Sequence, residues 1–205
     1  MLTVAPVSFD EVLHRFHQEH PLDREHEENT NDEAEGHLHA ADRTIGGWSK
    51  VLLDRSDLGG IVLPWHLGEG GERELIPKTG LTVARTVALL RASGTAYARS
   101  NPVCGRKIAH QSTSAFATIF LSVGPAPGID YDGLEVRDRL THLDGLHRMV
   151  SWELHGRLTP GTRIQAYVAG GPAAGSGLAA GPLAAADVRH GGGHHRDGLD
   201  VHADG

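Results

Sequence analysis

The chain has 205 residues, with 19 Lys and Arg, 26 Asp and Glu, and a single cysteine. The formal net charge of −7 sits entirely in residues 1–50, which hold eleven acids and four bases, while the rest balances at fifteen of each. This argues against nucleic acid as a partner, since phosphate needs a basic surface. One cysteine, Cys104, excludes an internal disulfide framework and a multi-thiolate zinc site. No apolar run approaches the ~20 residues that span a bilayer.

In chain order, residues 8–17 read as an amphipathic helix. Ser8 and Glu11 form a capping box, and Phe9, Val12, Leu13 and Phe16 share one face. Residues 22–45 carry almost no large apolar side chain before Leu38, and read as a solvated helix or a partly ordered loop. Residues 48–54 and 60–65 read as short strands separated by a polar turn, and residues 68–74 as a flexible loop. Residues 79–99 form the clearest helical stretch, capped by Thr79 or Thr82, with Gly94 ending or interrupting it. A buried strand is expected over 115–123, a short strand over 140–143, a helix over 146–158 and a last strand over 163–168. From residue 170 onward, ten glycines and eight alanines with no aromatic residue predict a disordered tail. The expected organisation is an acidic, histidine-rich helical extension (1–47), an α/β domain (48–169) and a tail (170–205). The first residues lack a basic segment followed by an apolar one, so no signal peptide is expected, and the setting is cytoplasmic.

The most informative stretch runs from Thr141 to Gly156. A short strand leads into Asp144-Gly145, and Leu146-His147-Arg148 opens a helix. Backbone N–H groups at a helix start are unpaired and attract anions. Gly145 permits a sharp turn and close approach to the backbone. Arg148 offers a planar fork for phosphate or carboxylate, and His147 can serve as acid or base. Asp144 could hold a metal ion, orient His147 or cap the helix.

Strand, Asp-Gly-Leu-His-Arg, helix resembles the signature of the ParB/sulfiredoxin-like superfamily. The strands at 115–123, 140–144 and 163–168 follow the order of that domain, and the likeness spans roughly residues 75–170. The resemblance implies an α/β fold with a mixed sheet. It also implies that Asp144, Gly145, Leu146, His147 and Arg148 bind nucleotide phosphate, with Asp144, His147 and Arg148 catalytic. Leu146 stands where sulfiredoxins carry a catalytic cysteine, which removes sulfinic acid reduction. The helix-turn-helix module of the DNA-partitioning members is missing. What remains by resemblance is a kinase that uses ATP and Mg²⁺ to phosphorylate a small hydroxylated or amino-acid-like metabolite.

Two further readings come from the residues themselves. In one, a metal or acid/base enzyme has kept the scaffold without the nucleotide. Glu35, His37 and His39 are then candidate ligands for a transition metal, within a face of Asp32, Glu35, His39 and Asp42 at helical spacing. In the other, the turn senses a small ligand without turnover. His66, at a strand end before a glycine-rich loop, and His142 are candidate substrate contacts. Glu25, His26, Glu27 and Glu28 could cover the site. Cys104 reads as a buried or indifferent thiol in a turn. Gly175-Ser-Gly177-Leu-Ala-Ala180 imitates a dinucleotide fingerprint without its second strand, and His194-His195 make at most a weak metal patch.

Overall fold

The computed structural model describes residues 1–20, 31–67 and 73–171. Its elements are β1 (Leu2–Val7), α1 (Phe9–Glu19), α2 (Asn31–Thr44), β2 (Trp48–Leu53), α3 (Arg55–Gly60), β3 (Val62–Leu63) and β4 (Leu81–Thr82). They continue with α4 (Val83–Ser93), α5 (Ala96–Ser100), α6 (Pro102–Gln111), β5 (Ile119–Val123), β6 (Leu140–Asp144), α7 (Leu146–Leu154) and β7 (Ile164–Ala169). The strands form one seven-stranded sheet in the order β1-β2-β7-β5-β6-β3-β4. The β5/β7 and β3/β6 pairs are parallel and the others antiparallel. This mixed α+β sheet is the fold class expected from sequence.

Side chains alternate across a strand, and that alternation divides the core in two. Ile119, Leu121, Ile164, Ala166 and Val168 join one cluster with α3, α4, α6 and α7. Phe120, Leu143, Tyr167 and Ala169 join another, against Val12 and Phe16 of α1 and Leu38 and Ala41 of α2. The sheet is therefore covered by helices on both faces. Ser8 caps α1 as expected, accepting a bond from the Glu11 N–H at 3.2 Å.

Several elements differ from expectation. Residues 2–7, given no element from sequence, pair antiparallel along β2. The turn expected between residues 54 and 60 is the short helix α3, closed by a reciprocal Asp54/Asp57 capping box. The long helix expected over 79–99 is β4, α4 and α5, with Gly94 as the C-cap that ends α4. Cys104 lies on α6 and not in a turn, because Pro102 opens that helix at its first position. The polar stretch around Leu38 is a helix with a buried face, since Leu38 and Ala41 are fully buried. The expectations for the loop over 68–72, for Glu25 to Glu28, and for the tail with Gly175–Ala180 and His194-His195 lie outside the described residues.

Candidate functional site

β6 delivers His142 and Asp144 to one end of the sheet, and α7 starts two residues later. Gly145 between them has φ +107°. A Cβ there would stand 2.7 Å from Ile119 Cγ2, so glycine is required by packing as well as by backbone conformation. The first free donor of α7 is not left open. The Leu146 N–H donates to His142 Nε2 at 2.9 Å. An imidazole that accepts at Nε2 carries its proton on Nδ1, and His142 Nδ1 is buried without a partner. Burial pushes the His142 pKa down to about 3, so the ring is neutral.

Arg148 faces inward and is 9% exposed. Its guanidinium donates to Glu19 Oε2 at 3.1 Å and to the Thr118 carbonyl. It also meets His20 Nε2 at 2.9 Å and donates to the Asp144 carboxylate. Burial opposes the ionisation of Asp144. Arg148, and then His20, outweigh it and hold the carboxyl below the usual carboxylate range. The arginine expected to clasp phosphate thus ties α1 to the β6–α7 turn.

Beside the turn lies a cavity of about 280 Å³. Asp144, Gly145, Leu146, His147, His142 and His66 line it, as the sequence suggested for the site, and Arg148 does not. Glu33, His37 and Asp130 complete its charged and titratable lining. Among the described residues, the cavity lining holds three carboxylates, four imidazoles and no Lys or Arg.

Two clusters of metal-ligating groups border this space. In one, His66, Cys104 and His147 place one ligand atom each within 4.8 Å of one another. His66 Nε2 is 3.3 Å from Cys104 Sγ, and the two imidazoles meet edge to face at 5.2 Å. Burial, with the charge of Lys107 adding to it, pushes His66 down to about 4. Burial, then His66 and Lys107, holds His147 well below the imidazole range. In the other cluster, Glu33, His37 and Asp130 are equally close, with His37 Nε2 3.6 Å from Asp130 Oδ2.

Glu35, His37 and His39 do not converge. Glu35 and His39 pair on the surface, with His17 Nε2 at 3.0 Å from Glu35, while His37 turns to the cavity. Spacing of two along a helix separates the faces. Asp42 accepts from the Trp48 indole N–H at 3.0 Å. Sequence reading missed Glu33 and Asp130 and passed over Cys104. Cys104 and His66 are far apart in the chain, and no local spacing announces their meeting. The one signal was Asn101-Pro102, a helix start that would have placed Cys104 and Ile108 on a buried face.

The fold and the site define an α+β protein with a small imidazole- and carboxylate-lined cavity beside a strand-to-helix turn. Residues 1–187 match a family of unknown function, DUF6309, and the chain belongs to that family. No curated protein and no solved structure matches it. Among the described residues, no helix is long and apolar enough to cross a membrane.

Proposed function

We propose that the protein is an enzyme that holds a small, amine-bearing metabolite in this cavity and acts on it by acid–base chemistry. The observation that carries this reading is the cavity lining, which brings together Glu33, Asp130 and Asp144 and, among the described residues, no lysine or arginine. Asp144 is matched by Arg148, which leaves Glu33 and Asp130 as the carboxylates available to an ammonium group. A nucleotide phosphate needs cationic or amide donors. Here the Leu146 N–H and Arg148 are already engaged within the protein. The reading therefore places an amine in the cavity in preference to ATP with Mg²⁺.

Each group has a role. Glu33 and Asp130 hold the ammonium. His142, neutral because burial disfavours its charged form, adds an uncharged imidazole to the lining. His37, beside Asp130, carries a proton to or from the substrate.

Thermal unfolding with added ligands tests this. One panel is primary amines: free amino acids, their amides and amino alcohols. The other is ATP, ADP, CTP and GTP, each with Mg²⁺. A bound ligand at a hundredfold its Kd stabilises by about 2.7 kcal/mol, a rise of roughly 5–10 °C for a domain of this size. The expected result is a rise with members of the amine panel that Asp130→Asn abolishes. A rise with nucleotides and none with amines overturns the reading.

A further inference from the structure

We propose that His66, Cys104 and His147 form a binding site for a borderline-soft divalent ion of the zinc class, with its remaining coordination position open to the cavity. The site goes beyond the substrate reading above and stands or falls separately from it.

Three observations carry it. First, the three ligand atoms already lie within 4.8 Å of one another. Ligand bonds of about 2.0–2.3 Å in a tetrahedron put neighbouring donor atoms about 3.4–3.8 Å apart. His66 Nε2 and Cys104 Sγ, at 3.3 Å, meet that spacing as they stand, and His147, within 4.8 Å of both, needs at most about 1.4 Å of closure. Second, His147 Nε2 is shut off from solvent and has no hydrogen-bond partner. A buried polar nitrogen without a partner costs free energy, and an ion between it and Cys104 would satisfy it. Third, the donor set is selective. One thiolate and two imidazoles suit zinc, cobalt or ferrous iron better than magnesium or calcium, which take oxygen ligands.

The elements hold these ligands from three directions. His66 sits in an isolated bridge to Ile76, Cys104 is on α6, and His147 is in the first turn of α7. α6 and α7 pack together through the buried cluster that includes Cys104, Ile108, Leu146 and Met149. Cys104 is 1% exposed, whereas both histidines line the cavity. Three protein ligands with the fourth direction toward a cavity is the arrangement of catalytic zinc sites, where structural sites close with four. The charge of Lys107, felt by both imidazoles, opposes a cation here, and the negative thiolate offsets it.

Cobalt(II) titration of the full chain, reduced with a phosphine, tests the site. The chain has one cysteine, so a thiolate-to-cobalt charge-transfer band can come from Cys104 alone, whatever other histidines bind. The expected result is such a band saturating at one equivalent, with the strong visible bands of four-coordinate cobalt, all removed by zinc(II). Cys104→Ser should abolish the band, with circular dichroism confirming its fold. His66→Gln and His147→Gln should each weaken cobalt binding by at least about tenfold. Absence of the band in the folded parent protein at tenfold excess cobalt overturns the site. So does an unchanged band and affinity in both histidine variants. Neither result depends on whether amines bind, so failure here is distinguishable from failure of the substrate reading.

Discussion

Arg148 separates two views of the β6–α7 turn, and Arg148→Met is the perturbation that decides between them. Methionine keeps much of the side chain's length and removes the charge. Four partners lose their donor: Glu19, the Thr118 carbonyl, His20 and Asp144. Asp144 and Glu19 are then left with their charges in surroundings where Arg148 is 11% and they are 16% and 12% accessible at the side chain. Breaking a buried ion pair from one side costs about 3–5 kcal/mol. For a domain of this size each kcal/mol lowers Tm by roughly 2–4 °C, which gives a fall of roughly 6–20 °C. The assay is thermal unfolding followed by circular dichroism, with Asp144→Asn and the double variant completing a cycle. The two losses should be strongly non-additive, because both act on one contact. An Arg148→Met protein that melts within 2 °C of the parent, or a cycle with additive losses, refutes the view of Arg148 as an internal tie.

Arg55→Ala removes a bidentate pair to Glu153 at 2.7 and 2.9 Å. The Arg55 side chain is 58% accessible, so its Tm loss should be far smaller than that of Arg148→Met; an equal loss contradicts the argument from burial. Gly145→Ala forces a side chain at φ +107° against Ile119 Cγ2. It should cost about 1–3 kcal/mol by urea unfolding, and a neutral result would remove the packing explanation of that glycine. Leu38→Ala should cost about 2–5 kcal/mol, whereas a solvated helix face would lose under about 0.5 kcal/mol. Stability should also fall with acid. His66 and His142 titrate near 4 and 3 when folded, against 6.5 for the free group, so below 6.5 the unfolded chain binds protons that the folded chain refuses. Each then costs up to about 1.4 kcal/mol per pH unit as pH drops from 6.5 toward its folded value. Urea midpoints from pH 7 to pH 5 measure this, and a flat profile is the refuting outcome.

What the sequence disclosed, and what it hid, follows from the range of the interactions. Ser8 and Glu11, three residues apart, announce the start of α1 because a cap is a local bond. The runs at β5 and β7 announce buried strands because both faces of the sheet are covered. β1 escaped notice because Ala5 and Pro6 interrupt its apolar pattern, and its partner lies more than forty residues away. α6 escaped because Gly105, Arg106 and Lys107 mask its apolar face. The turn from Asp144 to Arg148 was legible as an element boundary, and its chemistry was not. Only the fold reveals that His142 accepts the first N–H of α7 and that Glu19 reaches Arg148 from α1.

The same contrast governs the acidic first quarter of the chain. Its charge looked like a solvated block set apart from an anion site, yet much of it works within the fold. Glu19 bonds Arg15, Arg148 and the Thr118 N–H, and Asp42 bonds Trp48. Glu33 and His37 form a wall of the cavity. A block that supplies both the counter-charge to a buried arginine and one wall of the site cannot be removed without loss of both. The negative cavity and the internally bound arginine are then two consequences of one placement. Glu19 of α1 and Asp144 of β6 hold Arg148 inside the fold, and Glu33 of α2 joins Asp130 and Asp144 in the cavity lining. Anion recognition at residues 144–148 would require Arg148 to leave four partners. Cation or amine recognition requires no rearrangement of that network, which is why the cavity is read as a site for a positive group.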